Sequence, residues 1–272
     1  FLAWILRRPY VILAQTLGPF FGRTEKPGIL LLRFLLKHAA YVSVRDNYSL
    51  DNLRKYNYPV EHIRKTNELV FLYQPPAATA AAPRRKQVMG FTFHHIYYRH
   101  WMSYEEYVAG CVEFIDRVCE TYDFALKFIS MEQKEGVGGD LPLLENLLNR
   151  LKHPERVEIL RTPMDPRQAL AVFHDLDFLY ATKTHSVVYG LRFGIPTLAI
   201  AYDCKTEDFM QDFGMGEYSI PLKDFTPEGG MGKLRNLTNH QNDVRQILQQ
   251  KLTEIQTQAM GNIDAIDAIV GE

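Results

Sequence analysis

The chain has 272 residues, 46% of them hydrophobic and 23% charged, with 31 basic side chains against 32 acidic ones. That balance suits an ordinary soluble globular protein of one large domain or two smaller ones. The formal net charge of −1 excludes bulk attraction to nucleic acid or an anionic membrane and leaves room only for a local basic cleft.

Cys111, Cys119 and Cys204 form neither a disulfide framework nor a CxxC zinc site, so a reducing cytoplasm is the natural compartment. No stretch approaches the ~20 uninterrupted apolar residues that a membrane span needs. In the opening segment FLAWILRRP the basic residues follow the apolar ones, unlike a signal peptide. The chain lacks an initiator methionine and enters a strand almost at once, so we read it as a fragment whose upstream part is missing.

In chain order, a strand VILA over 11–14 stops at Gly18-Pro19, and a helix over 28–38 follows. The strand YVSV (41–44) leads into a helix over 47–56 with Asp46 at its N-cap, and Leu69 to Leu72 reads as a further strand. Residues 74–85, QPPAATAAAPRR, are the best linker candidate. Beyond it strands and helices alternate. Strand 87–93 precedes a helix opened by a Ser103/Glu106 capping box. Next come strand 123–130, helix 141–151, strand 157–160 and helix 166–174, the last capped by Asp165. Two buried strands within Asp177 to Lys205 and a polar amphipathic helix over about 242–259 complete the order.

This alternation implies parallel sheets covered on both faces. The expected architecture is α/β, with two Rossmann-like lobes facing each other across a cleft, the first truncated at its amino terminus. The boundaries read as 1–82 for the first lobe, 83–238 for the second and 239–272 for a helix packing across them.

Four clusters of polar residues fall at predicted strand ends, the usual ligand edge of an open α/β sheet. Lys183-Thr184-His185-Ser186 follows strand DFLYA and opens a helix, whose N-terminus favours an anion. The plain alternative is that Thr184 or Ser186 caps that helix and His185 is a satisfied turn histidine. Asp203 and Lys205 follow strand TLAIA, with a helix cap and a solvated lysine as the alternative. Arg45 ends strand YVSV, where a salt bridge is the default and a clamp on a carboxylate or phosphate is the functional reading. His94 and His95, followed by Tyr97, Tyr98 and Trp101, suit sugar stacking and hydroxyl contacts. A metal is not expected, because adjacent histidine side chains diverge and no acidic ligand shares the motif. The Gly-rich loop Met131 to Gly139 lacks both Walker and GxGxxG patterns, so no nucleotide site is assigned to it.

Three separated segments together resemble the polysaccharide pyruvyl transferase family: AQTLGPF (14–20), SVRDNYSLDNLRKY (43–56) and ATKTHSVVYGLRFGIPTLAIAYDCKTEDFMQDFGM (181–215). The resemblance implies a two-lobed fold of the GT-B type. It also implies transfer of an enolpyruvyl-derived group from phosphoenolpyruvate to sugar hydroxyls of a cell-surface glycan or its precursor, forming a ketal. His185 and Arg45 would be catalytic, and Lys183, Thr184, Ser186, Asp203 and Lys205 would bind the donor. Gln15, His94 and His95 are acceptor-side candidates. No cofactor or metal is expected; the partners are phosphoenolpyruvate and a sugar or glycan acceptor, with no nucleic acid and no transmembrane segment, and a homo-oligomer is open. The family usually carries Arg where Lys183 stands, which loses the planar bidentate fork. The expected location is cytoplasmic, peripheral to the membrane where glycan precursors are assembled. The alternatives are a nucleotide-sugar glycosyltransferase of the same architecture and a non-catalytic glycan-binding homologue.

Overall fold

The computed structural model describes residues 2–18, 25–74, 86–95, 97–132, 139–161 and 165–271. Most of the expected linker, residues 75–85, lies outside them, as do Pro19, Phe20 and residues 133–138 of the Gly-rich loop. The chain divides into two compact units, 1–74 with 252–272, and 75–251.

In the first unit, helix α1 (Leu2–Ile5) precedes strand β1 (Val11–Gln15) and helix α2 (Glu25–His38). Strand β2 (Tyr41–Val44), helix α3 (Asn47–Lys55) and the short strand β3 (Arg64–Lys65) follow. The three strands form a parallel sheet in the order β1-β2-β3. Leu36 of α2, Val42 and Val44 of β2, Leu53 of α3 and Ile63 make its core. Asp46 caps α3 as expected, its carboxylate accepting from the Ser49 amide at 2.8 Å. Leu69–Leu72 is a turn of 3-10 helix, not the predicted strand. Only Phe71 of that run is deeply buried, so the apolar letters mark one anchor and no two-sided sheet position.

The second unit holds six parallel strands: β4 (Val88–Thr92), β5 (Ala125–Ile129), β6 (Val157–Leu160), β7 (Phe178–Ala181), β8 (Thr197–Ala201) and β9 (Ser219–Pro221). They run in the order β6-β5-β4-β7-β8-β9. Helices α4 (Tyr104–Thr121), α5 (Leu141–Arg150), α6 (Pro166–His174), α7 (Thr184–Arg192), α8 (Cys204–Asp212) and α9 (Pro227–Asn239) connect or flank them. Strands β4, β7 and β8 are buried along their whole length, which is why they read as unbroken apolar runs. Phe91, Phe93, Phe114, Phe128 and Tyr180 fill the space above the sheet centre, with ring centroids 5.0–6.5 Å apart. The Ser103/Glu106 box that opens α4 is formed in both directions.

The return from β7 to β8 depends on two glycines. Gly194 adopts φ +65°, a left-handed conformation that lets α7 end and turn within two residues of β8. A Cβ on Gly190 would lie 2.5 Å from Thr197 Oγ1 and 2.7 Å from Leu179 Cδ2, so its absence seats α7 closely on β7 and β8. The last helix, α10 (Gln241–Val270), has 30 residues and is much longer than the predicted 242–259. Residues to 251 belong to the second unit and those from 252 to the first. Its extension is fixed by Asn262, fully buried, which accepts from Ser43 Oγ at 2.5 Å and donates to Thr66 Oγ1 at 3.0 Å.

Candidate functional site

In a parallel sheet ordered β6-β5-β4-β7-β8-β9, chain direction reverses its progress between β4 and β7. Connections leaving those two strands depart to opposite sides, which opens a crevice at their carboxyl ends. His94 follows β4 and Lys183 follows β7, so both stand at that crevice. The strand ends are tied together: the Thr182 amide donates to Thr92 O at 3.0 Å, and the His94 amide to Thr182 Oγ1 at 2.5 Å.

A cavity of about 430 Å³ opens here, lined by residues from the ends of four adjacent strands. His94 comes from β4, Met131 and Glu132 from β5, Lys183, Thr184, His185 and Tyr189 from β7 and α7, and Tyr202 from β8. Lys183 occupies the N-cap of α7 and makes no side-chain capping bond. The amino-terminal turn of α7, with Thr184 and His185, thus opens on the cavity, and a helix N-terminus favours an anion.

Asp140 organises the back of the site. It is fully buried, and its Oδ2 accepts from the Met131 and Glu132 amides at 3.0 and 2.9 Å. Its Oδ1 meets His95 Nδ1 at 3.0 Å and the Lys183 ammonium at 2.8 Å. Glu132 adds a second, looser carboxylate 3.4 Å from the same ammonium. A carboxylate only accepts, so His95 carries a proton on Nδ1.

His94 is held differently. Its ring stacks on His95 at 5.5 Å and meets Tyr202 edge-on at 5.1 Å. Burial lowers its pKa to about 4, aided by the nearby charges of Lys183 and His95 and opposed by Asp140 and Glu132. At neutral pH it is an uncharged imidazole, able to accept a proton or a hydrogen bond but not to neutralise an anion.

The structure brings Lys183, Thr184, His185 and His94 to one cavity, with His95 directly behind. The other predicted residues stand elsewhere. Ser186 is buried inside α7, and its hydroxyl has no hydrogen-bond partner among the described residues. Neither it nor Thr184 caps the helix. Thr184 Oγ1 instead pairs with Thr206 Oγ1 at 2.7 Å, and Thr206 donates to the α8 cap Asp203 at 3.0 Å. Asp203 thus locks the two turns together, and neither it nor Lys205 is among the described residues lining the cavity. In the first unit, Arg45 donates to Thr16 Oγ1 at 2.7 Å and pairs with Glu68. Gln15, at the carboxyl end of β1, is exposed and donates to Leu13 O at 3.0 Å.

Both grounds for expecting no metal are corrected by the structure. The His94 and His95 rings face each other within 21° of parallel. Two acids, Glu132 and Asp140, also meet His95, with one ligand atom from each of the three within 4.8 Å of the others. The Lys183 ammonium, 2.8 Å from Asp140, already supplies a positive charge at that place. Glu132 and Asp140 were missed because the loop that carries them matches no phosphate-binding pattern. The one local signal was Asp140 directly before helix α5.

Residues from the carboxyl ends of a doubly wound parallel sheet, in a chain with a second parallel sheet, define an α/β protein of the GT-B-like class. Solved structures agree on that fold. UDP-GlcNAc 2-epimerase from Neisseria meningitidis, solved with UDP-GlcNAc, has a TM-score of 0.60 at 10% identity over 97% of this chain and 70% of its own. The corresponding enzyme from Methanocaldococcus jannaschii gives 0.59 at 13% over 87% and 65%. Anabaena Alr3699/HepE in complex with UDP gives 0.61 at 14% over 99% and 74%. The chain spans 64% of the length of a further neighbour, from Listeria monocytogenes. The model of the polysaccharide pyruvyl transferase family matches residues 1–203, and the chain belongs to that family.

Proposed function

We propose that the protein transfers a pyruvyl group from phosphoenolpyruvate to sugar hydroxyls of a cell-surface polysaccharide or its precursor, in the cytoplasm. The observation that carries this reading is the placement of Lys183-Thr184-His185, in a member of this family, at the switch-point cavity.

Phosphoenolpyruvate carries a carboxylate and a phosphate. The first-turn amides of α7 and the Lys183 ammonium would receive one of them, with the ammonium drawn from Glu132, the looser of its two carboxylates at 3.4 Å. A proton delivered to the methylene carbon generates an oxocarbenium-like centre at C2. One sugar hydroxyl adds there, its proton replacing the one given to the methylene carbon; the C2–O bond to phosphate then breaks, and a second hydroxyl closes the ketal while its proton leaves with the phosphate as hydrogen phosphate. His185, exposed at the cavity wall, is assigned the proton delivery. Neutral His94, its pKa lowered to about 4, is a weak base suited to accept a hydrogen bond from the sugar hydroxyl. Arg45 and Lys205 remain assigned by family pattern as further cations, and Gln15 and His95 as acceptor-side residues.

Phosphate release from phosphoenolpyruvate, screened over a panel of sugars, tests the reading. Release should require both donor and sugar, and His185→Ala should lower it about 100-fold with an unchanged circular dichroism spectrum. Full activity in that variant would remove His185 from the chemistry.

One observation favours a second reading. A nucleotide-sugar transferase needs a carboxylate in the donor lobe to hold a ribose diol, and Glu132 puts one on the cavity wall. A thermal shift with UDP-sugars and none with phosphoenolpyruvate would favour it.

A further inference from the structure

The outer face of α2 combines two properties that a water-facing helix rarely shares. Leu30 and Leu31 are 71% and 54% exposed, and Trp4 and Ile5 of α1 are 45% and 53% exposed. The helix already commits Leu36 and Leu32 to the core of its unit, so the outward residues are surplus to that packing. Trp4 is held on this face by edge contact with Phe34 at 5.3 Å and by His38 at 5.6 Å.

At about 100° per residue, Lys26, Arg33 and Lys37 fall on one side of Leu30, and Phe34, His38 and Leu31 on the other. Lys26, Arg33 and Lys37 are all exposed. The first 44 residues hold six lysines and arginines against a single acid, Glu25, although the whole chain carries a net charge of −1. On α2 itself, Lys26, Arg33 and Lys37 put positive charge on the same helix as exposed Leu30 and Leu31. Arg33 and Lys37 also line a cavity of about 490 Å³ with Tyr58 and His62, a cationic recess of headgroup size.

We propose that this face seats the protein on an anionic lipid bilayer, with Leu30, Leu31 and Trp4 entering the headgroup–acyl boundary. Lys26, Arg33 and Lys37 meet lipid phosphates around them. Nucleic acid would use the charge but leave four large apolar side chains without a role. A neutral apolar protein surface would cover the leucines but not explain the six-to-one charge bias. An anionic bilayer uses both, as an interfacial amphipathic helix does. The inference is independent of the donor chemistry.

Co-sedimentation with phosphatidylglycerol–phosphatidylcholine vesicles, against pure phosphatidylcholine, tests it, with Trp4 emission followed in a Trp101→Phe background. Binding should need phosphatidylglycerol, weaken with salt and shift Trp4 emission to the blue. It should fall about tenfold in Leu30→Asn/Leu31→Asn and in Arg33→Glu/Lys37→Glu. All four substituted side chains are exposed, so folding is expected to survive, and circular dichroism checks it. The proposal is overturned by no phosphatidylglycerol-dependent binding, by equal binding in both double variants, or by self-association through these residues without vesicle binding.

Discussion

Asp140 is the residue on which the arrangement of the cavity depends. It is the common partner of two loop amides, a histidine and an ammonium. Asp140→Asn should cost about 3–5 kcal/mol in urea unfolding, because it leaves Lys183 buried beside a neutral amide. A loss under ~1 kcal/mol would show that the pair behaves as an exposed one. His94 gives a pH prediction with a definite sign. Its folded pKa is about 4 against an ordinary 6.5, so between those values the unfolded chain takes up a proton that the folded one refuses. The stability from neutral His94 is complete above pH 6.5 and is lost as pH falls towards 4. His94→Gln should flatten the stability–pH slope in that window, and an unchanged slope would assign it to other groups.

At the scale of elements, α7 must lie close to β7 and β8 to bring its N-terminus to the crevice, and Gly190 permits that approach. Gly190→Ala should destabilise by about 1–3 kcal/mol in denaturant titration and weaken ligand binding, because α7 would be pushed away from the sheet. Most of this unit was legible in the sequence. Buried parallel strands announce themselves as unbroken apolar runs, and caps such as Ser103 and Asp165 carry local chemical signatures. The segment Leu69–Leu72 was not legible, since four apolar residues fit a strand or one tight turn equally well without their neighbours. Nor was the return of Glu132 and Asp140 to His95, a contact between residues about 40 apart that no local pattern encodes. The polar ends of β7 and β8 were expected to act jointly, and the structure shows why they contribute unequally. The switch point lies between β4 and β7, so the β8 end contributes Tyr202 to the wall while Asp203 locks the turns.

At the scale of the whole molecule, the long α10 belongs to both compact units, and its length was underestimated because its buried face is partly polar. Asn262 there satisfies two buried hydroxyls of the first unit. Asn262→Ala should cost about 1–3 kcal/mol through the hydroxyls left without partners, read as an earlier loss of that unit in hydrogen exchange. Among the described residues no helix is long and apolar enough to cross a membrane. The anion-receiving cavity proposed for phosphoenolpyruvate at the switch point is tested most directly by calorimetric titration of that donor into the protein and into Lys183→Ala. Binding should be saturable at one site and weakened about tenfold or more in the variant. Equal affinity in the two proteins, or no binding of phosphoenolpyruvate while a UDP-sugar binds, would contradict it.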